Sequence, residues 1–162
     1  MSELRIRQAV RALLVTDADE IMLVRFEFPK GTVWSTPGGG LERGEDHLAA
    51  LHRELEEEVG LSAPTISRHV WNREHITPHM DGRYDGQQDR FYLVPTQRFE
   101  ALPVLSWDQL RAENLHEIRW WTFDEIDEAT ASGTLFAPRR LGELLRSLAA
   151  HDPSTAPIDT GI

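Results

Sequence analysis

The stretch from Thr36 to Leu61 constrains this chain more than any other part of it. Thr36-Pro37-Gly38-Gly39-Gly40 reads as irregular backbone: proline removes a hydrogen-bond donor, and three glycines allow positive φ angles and the close approach of a ligand. From Asp46 to Val59 the residues are strong helix formers, and Gly60 is a natural C-terminal stop. On a helical wheel Leu48, Leu51, Leu55 and Val59 form one stripe, while Glu54, Glu57 and Glu58 fall in a neighbouring sector of roughly 100°. Three like charges at i, i+3 and i+4 repel one another unless a cation neutralises them. Two readings follow. A solvated acidic face is the plain one, since surface glutamates are common. The functional one is a site for Mg²⁺ or Mn²⁺, which take oxygen ligands from a few carboxylates and keep waters or substrate phosphates in their other positions.

Around this segment the periodicity alternates between strand and helix. Ala9 to Val15 and Ile21 to Phe26 are apolar runs separated by the turn-prone Asp17 to Glu20, which predicts a β-hairpin. Ile66 to Trp71, Arg90 to Val94 and Ile118 to Thr122 read as further strands. A long polar loop, His75 to Asp89, lies between the third and fourth of these five runs, and loops of that length in compact domains are often functional. Thr122 and Glu125 have capping-box spacing for a helix to about Thr130, and Pro138 suits the first turn of a last helix through Leu148. Residues 1–150 are expected to form one domain, and 151–162 an extended or flexible tail. Trp71, Phe91, Trp120 and Trp121 sit in strand-like runs and are expected in the core, and His52 is expected to pack.

Composition excludes several classes of function. A formal charge of -10 argues against a broad basic face, and hence against stable nucleic-acid binding. No apolar stretch approaches the roughly 20 residues needed to cross a bilayer, and Met1 to Arg11 lacks the pattern of a signal peptide. Without cysteine there is neither a disulfide framework nor a thiolate site, which suits a reducing cytoplasm. A small anionic partner would need local help from cations or from well-placed arginines; Lys30 is the only lysine. In the long loop His75, His79, Arg83 and Tyr84, and Trp34 before the glycines, are candidates for stacking on a base or gripping a ribose.

Gly39, Glu45, Arg53, Glu54, Leu55, Glu57, Glu58, Gly60 and Leu61 match, without a departure, the box G-x5-E-x7-R-E-U-x-E-E-x-G-U, in which U is a bulky aliphatic. Seven fixed letters at frequencies of roughly 6–7 % match by chance on the order of once in 10⁸ starting positions. On this box the chain resembles the Nudix hydrolases, over about residues 5 to 150, with Trp34 to Gly38 before it and Trp120 to Glu125 well after. The resemblance implies an α/β/α sandwich around a mixed β-sheet and a Mg²⁺- or Mn²⁺-dependent hydrolase of the pyrophosphate bond in a nucleoside diphosphate linked to another moiety. It implies Glu54, Glu57, Glu58 and the Gly38 carbonyl as metal ligands, Arg53 as the group orienting Glu57, and Glu45 as a structural partner. A base near the metal-bound water is also implied: Glu57 or Glu58 could serve, though many similar proteins place it on a separate loop, which makes Glu113 and Glu117 candidates, and Arg25 stands where similar proteins often contact phosphate. A nucleoside di- or triphosphate is the first substrate expectation and a nucleotide sugar such as ADP-ribose the second. A non-catalytic nucleotide-binding module is the rival, though all three box carboxylates remain. Dimerisation is common in similar proteins, and nothing in this chain demonstrates it.

Overall fold

A computed structural model describes residues 2–77, 82–150 and 156–162. The expected hairpin joins β1 (Ile6–Val15) to β2 (Glu20–Phe28), with Val15 opposite Ile21. Beyond that point the two strands take other neighbours. β1 runs parallel to β6 (Gly86–Pro95) from Ile6 opposite Gly86 to Val15 opposite Pro95, and β6 pairs antiparallel with β5 (Arg68–His75). β2 pairs antiparallel with both β3 (Gly31–Ser35) and β7 (Leu115–Thr122), and β3 runs parallel to the two-residue β8 (Phe136–Ala137). Two wings of one mixed sheet therefore diverge from the hairpin, and a cleft opens between them.

Helices cover both faces. α1 (His47–Val59) starts at Asp46, whose carboxylate accepts the Ala49 N–H, and stops at Gly60 in a left-handed conformation, φ 73°. Its buried Ala50, Leu51, Leu55 and Val59 pack on Val10, Ala12, Leu14, Met22, Tyr92 and Val94. Each fully buried leucine stabilises by about 1.5–3 kcal/mol, against roughly 0.2–0.5 kcal/mol for each like-charge pair on the neighbouring edge. The packing therefore holds α1 in place in spite of its carboxylates. On the opposite face α3 (Phe123–Ala131) and α4 (Leu141–Ala150) pack Ile126, Leu141, Leu144 and Leu145 against Leu13, Ile21, Leu23, Trp71, Phe91 and Trp121. The result is the expected α/β/α sandwich. A short helix, α2 (Trp107–Ala112), with a complete capping box at Ser106 and Gln109, precedes β7.

Several sequence expectations need correction. Gly38–Gly40 is a short strand, β4, paired antiparallel with β1, with Arg11 opposite Gly38. Glycine makes this possible: at Gly38, φ 148°, a Cβ would collide with the Val10 carbonyl oxygen. The polar stretch is shorter than expected, because β5 runs on to His75 and β6 begins at Gly86; their polar residues face a polar cavity, so the usual apolar alternation is missing. Leu48 is exposed, its place in the buried stripe taken by Ala50, and His52 is exposed as well. The tail expectation needs no such change: among its described residues Ile158–Asp159 is extended backbone, β9, parallel to β5.

Candidate active site

A cavity of about 520 Å³ fills the cleft between the wings. Part of its lining is acidic. Glu54 and Glu58 follow the buried stripe of α1 and are pressed against β4: Glu58 Oε2 accepts the Gly38 N–H at 3.0 Å, and a Cβ on Gly39 would lie 2.5 Å from Glu54 Oε1. A side chain at residue 39 would therefore displace the Glu54 carboxylate from β4. Both carboxylates are buried, Glu58 to 2 % exposure. Burial pushes the Glu54 carboxyl above its ordinary value against the pull of Arg53, and burial with the Glu54 charge pushes Glu58 well above it.

Arg53 organises the outer side of this cluster. Its Nε and Nη2 donate to the two oxygens of Glu45 at 2.7 and 2.8 Å, a bidentate pair, and Nη2 also donates to the Gly40 carbonyl at 3.1 Å. Nη1 reaches Glu54 at 3.0 Å and Glu57 at 3.2 Å. The hydrogen bonds from Arg53 hold the Glu45 carboxyl down to about 2. Glu57 is half-buried on this side, beside the cavity rather than in its lining. One guanidinium thus ties the glycine strand, the loop before α1 and two box carboxylates together.

The loop candidates separate cleanly. Glu113, at the C-terminal end of α2, lines the cavity, and burial followed by the Glu57 charge raises its carboxyl. Glu117 instead pairs with Arg25 Nε at 3.0 Å, away from the cavity. Arg25 also pairs with Glu27 and does not line the cavity, because strand alternation turns it to the opposite side from Phe26, which does. The same alternation corrects the expectation for Trp34: Val33 and Ser35 face the cavity, while Trp34 is buried in the core, edge-on to Trp121 at 5.0 Å, where no base can stack. Arg83 and Tyr84 line the cavity, as does His75. His79 lies outside the described residues.

Sequence patterning left out the part of the cavity lining that lies across β4 from Glu54 and Glu58. Arg7 and Arg11 on β1, Arg73 on β5, and Gln87 and Asp89 on β6 line it, with Phe26 and Phe28 stacked 5.9 Å apart as an apolar wall. A signal existed: Arg7 and Arg11 interrupt an otherwise apolar strand on one face, at a spacing of four.

Among the described residues no three carboxylate or imidazole groups converge closely enough to enclose an ion by themselves. Mg²⁺ asks for less, since it commonly binds through one or two carboxylates and completes its octahedron with waters and phosphate oxygens. Glu54 and Glu58 fit that requirement: both are hard oxygen donors, buried, mutually repelling and open to a cavity. The Gly38 carbonyl stands beside them and receives a long hydrogen bond, 3.4 Å, from Arg11.

A family model for the NUDIX domain matches residues 5–139. An RNA pyrophosphohydrolase of Roseobacter denitrificans is 30 % identical over 104 residues, which cover 58 % of this chain and 64 % of the relative. Nudix hydrolase 25 of Arabidopsis thaliana is 30 % identical over 123 residues, 69 % of this chain and 70 % of that one. The chain spans less than two thirds of the length of several RNA pyrophosphohydrolases it matches. The solution structure of the E. coli ORF135 protein has the same fold, with a TM-score of 0.64 at 22 % identity over 94 % of this chain and 96 % of that one.

Proposed function

The chain belongs to the Nudix family, and on that premise we propose that it is a divalent-cation-dependent pyrophosphohydrolase acting on nucleoside di- or triphosphates. The observation that carries the proposal is the lining of the cavity: the buried carboxylates Glu54 and Glu58 and the guanidinium groups of Arg7, Arg11 and Arg73 share one space of about 520 Å³, on either side of β4. Glu54, Glu57, Glu58 and the Gly38 carbonyl would hold Mg²⁺ or Mn²⁺, which when bound neutralises the phosphoryl oxygens and assists departure of the leaving phosphate. Arg53 fixes the Glu54 and Glu57 carboxylates through Nη1 and is itself fixed by Glu45. Glu113, the candidate loop carboxylate in the lining, accepts the proton of the attacking water; its raised pKa brings it nearer neutrality, where a general base works best. Arg83 and Tyr84 reach the cavity from the segment after the undescribed residues and, with His79, are the candidates for gripping nucleoside.

The test is a panel of nucleotides, nucleotide sugars, dinucleotides and a 5′-triphosphorylated oligoribonucleotide, incubated with Mg²⁺ or Mn²⁺ and analysed for phosphate products. Hydrolysis of nucleoside di- or triphosphates, abolished by chelation and greatly reduced in Glu57→Gln and Glu58→Gln, is expected. Preference for ADP-ribose would replace the substrate; binding without cleavage would replace the enzyme by a nucleotide-binding module.

A further inference from the structure

The arginines that line the cavity from β1 and β5 belong to one network centred on a single acid. Asp89, 1 % exposed, accepts from Arg11 Nε at 3.2 Å, from Arg73 Nη1 at 3.4 Å and from Gln87 Nε2 at 2.9 Å, and Gln87 Oε1 in turn accepts from Arg7 Nη1 at 2.8 Å. One network thus ties three guanidinium groups together and supplies one negative charge for three positive ones. A carboxylate with three donors has little further capacity to accept, so the surplus charge has no counterpart within the network.

The donors left over point to a ligand. Arg7 Nε and Nη2, Arg11 Nη2, and Arg73 Nε and Nη2 make no hydrogen bond among the described residues. Arg73 Nε is also fully buried, and an orphaned buried donor of a charged group is expensive unless something accepts from it. Burial lowers the pKa of Arg7 and of Arg73, with the Arg11 charge adding to both, so bringing an anion here relieves a real electrostatic penalty. Across β4, Glu54 offsets part of the Arg7 charge and Glu58 part of the Arg11 charge, an offset that a cation held by the two glutamates would take up.

We propose that Arg7, Arg11 and Arg73, held by Asp89 and Gln87, form a seat for a phosphate dianion, and that the substrate is anchored there by a terminal, unesterified phosphate. The seat itself follows from the network; the substrate half rests on the proposed hydrolase activity. The charge makes the selection. A terminal phosphate carries close to two negative charges at neutral pH, its second pKa being about 6, and matches the surplus of the network. A phosphate esterified on both sides, as in a nucleotide sugar, carries one charge and offers fewer oxygens to a set of forked donors.

Binding is tested first, on the full chain with metal chelated, by calorimetric titration with inorganic phosphate and with dimethyl phosphate at pH 8. Inorganic phosphate is expected to bind at least about 10-fold more tightly, and Arg7→Gln or Arg73→Gln to weaken it by about 10- to 100-fold. Arg7→Lys, which keeps the charge and loses the fork, should fall between and serves if a glutamine variant unfolds. Equal binding of the two anions, or unchanged binding in the arginine variants, overturns the seat. Turnover is tested next with Mg²⁺, comparing a nucleoside triphosphate with its γ-methyl ester and with ADP-ribose. The triphosphate is expected to have the higher kcat/KM, and Arg73→Gln to erase the preference. If none is cleaved while phosphate still binds through the arginines, the hydrolase proposal fails and the seat stands. If all three are cleaved alike, the terminal anchoring fails and the hydrolase proposal stands.

Discussion

Replacing Glu58 by glutamine should raise the stability of the metal-free protein while destroying its activity. Glu58 is 2 % exposed and shares a buried cluster with Glu54, which pushes its carboxyl well above the ordinary range. Glutamine keeps an oxygen in place to accept the Gly38 N–H, now at 3.0 Å, and its amide can reach the cavity that Glu58 already lines. What disappears is the repulsion with Glu54 and the burden of a desolvated charge, together worth about 1–3 kcal/mol. For a chain of this size that corresponds to a rise in Tm of about 2–12 °C at pH 7 in chelator. Mg²⁺ should reverse the order: at 100 times its Kd a cation stabilises the wild type by about 2.7 kcal/mol and the variant hardly at all. Differential scanning calorimetry with and without Mg²⁺ measures both. A Glu58→Gln protein less stable than wild type in chelator would refute the reasoning, because Glu58 would then be a structural anchor for β4 and not a charge held ready for a cation.

Other outcomes follow from the same geometry. Glu45 is held at about 2 against an ordinary 4.5, so its stabilisation is full above about pH 4.5 and is lost as pH falls toward 2; Glu45→Gln should cost about 1–2 kcal/mol at pH 7, after allowance for screening, and little at pH 2, by urea titration across pH. Glu113→Gln should lower kcat by about 10²-fold or more with little change in KM, and remove an acid limb lying above the usual carboxylate range from the pH–rate profile. Trp34→Phe should cost about 1–3 kcal/mol in stability yet leave KM within about twofold, since this ring packs on Trp121 and not on substrate. Arg25→Gln should leave KM equally unmoved in steady-state kinetics, its partners Glu27 and Glu117 being half-exposed and away from the cavity.

The parts of the fold legible in the sequence are those where burial and periodicity coincide. α1 was readable because its stripe repeats at the helical period and ends at Gly60, and α3 because Thr122 and Glu125 satisfy each other's backbone partners. The strands around the cavity were not: Arg73, Gln87 and Asp89 are strand residues turned into a polar space, and their alternation resembles a loop. Arg25, Trp34 and Glu117 failed for a related reason. Their positions along the strands are close to the site, but the choice of face depends on strand phase relative to a cleft that forms only when β1 and β2 part. Glu113 and Glu117, four residues apart, could be told apart only by structure, since one ends a helix at the cavity and the other lies on a strand paired with Arg25.

In the proposed reaction water attacks phosphorus in a P–O–P bridge with help from the carboxylates of the cavity. This attack is tested most directly by turnover of a nucleoside triphosphate in ¹⁸O-labelled water, followed by ³¹P NMR of the products with Mg²⁺ and with chelator. The expected result is cleavage of the bridge with ¹⁸O on one phosphate product, dependent on Mg²⁺. An intact bridge in the presence of Mg²⁺, or label recovered on a ribose carbon, would contradict it.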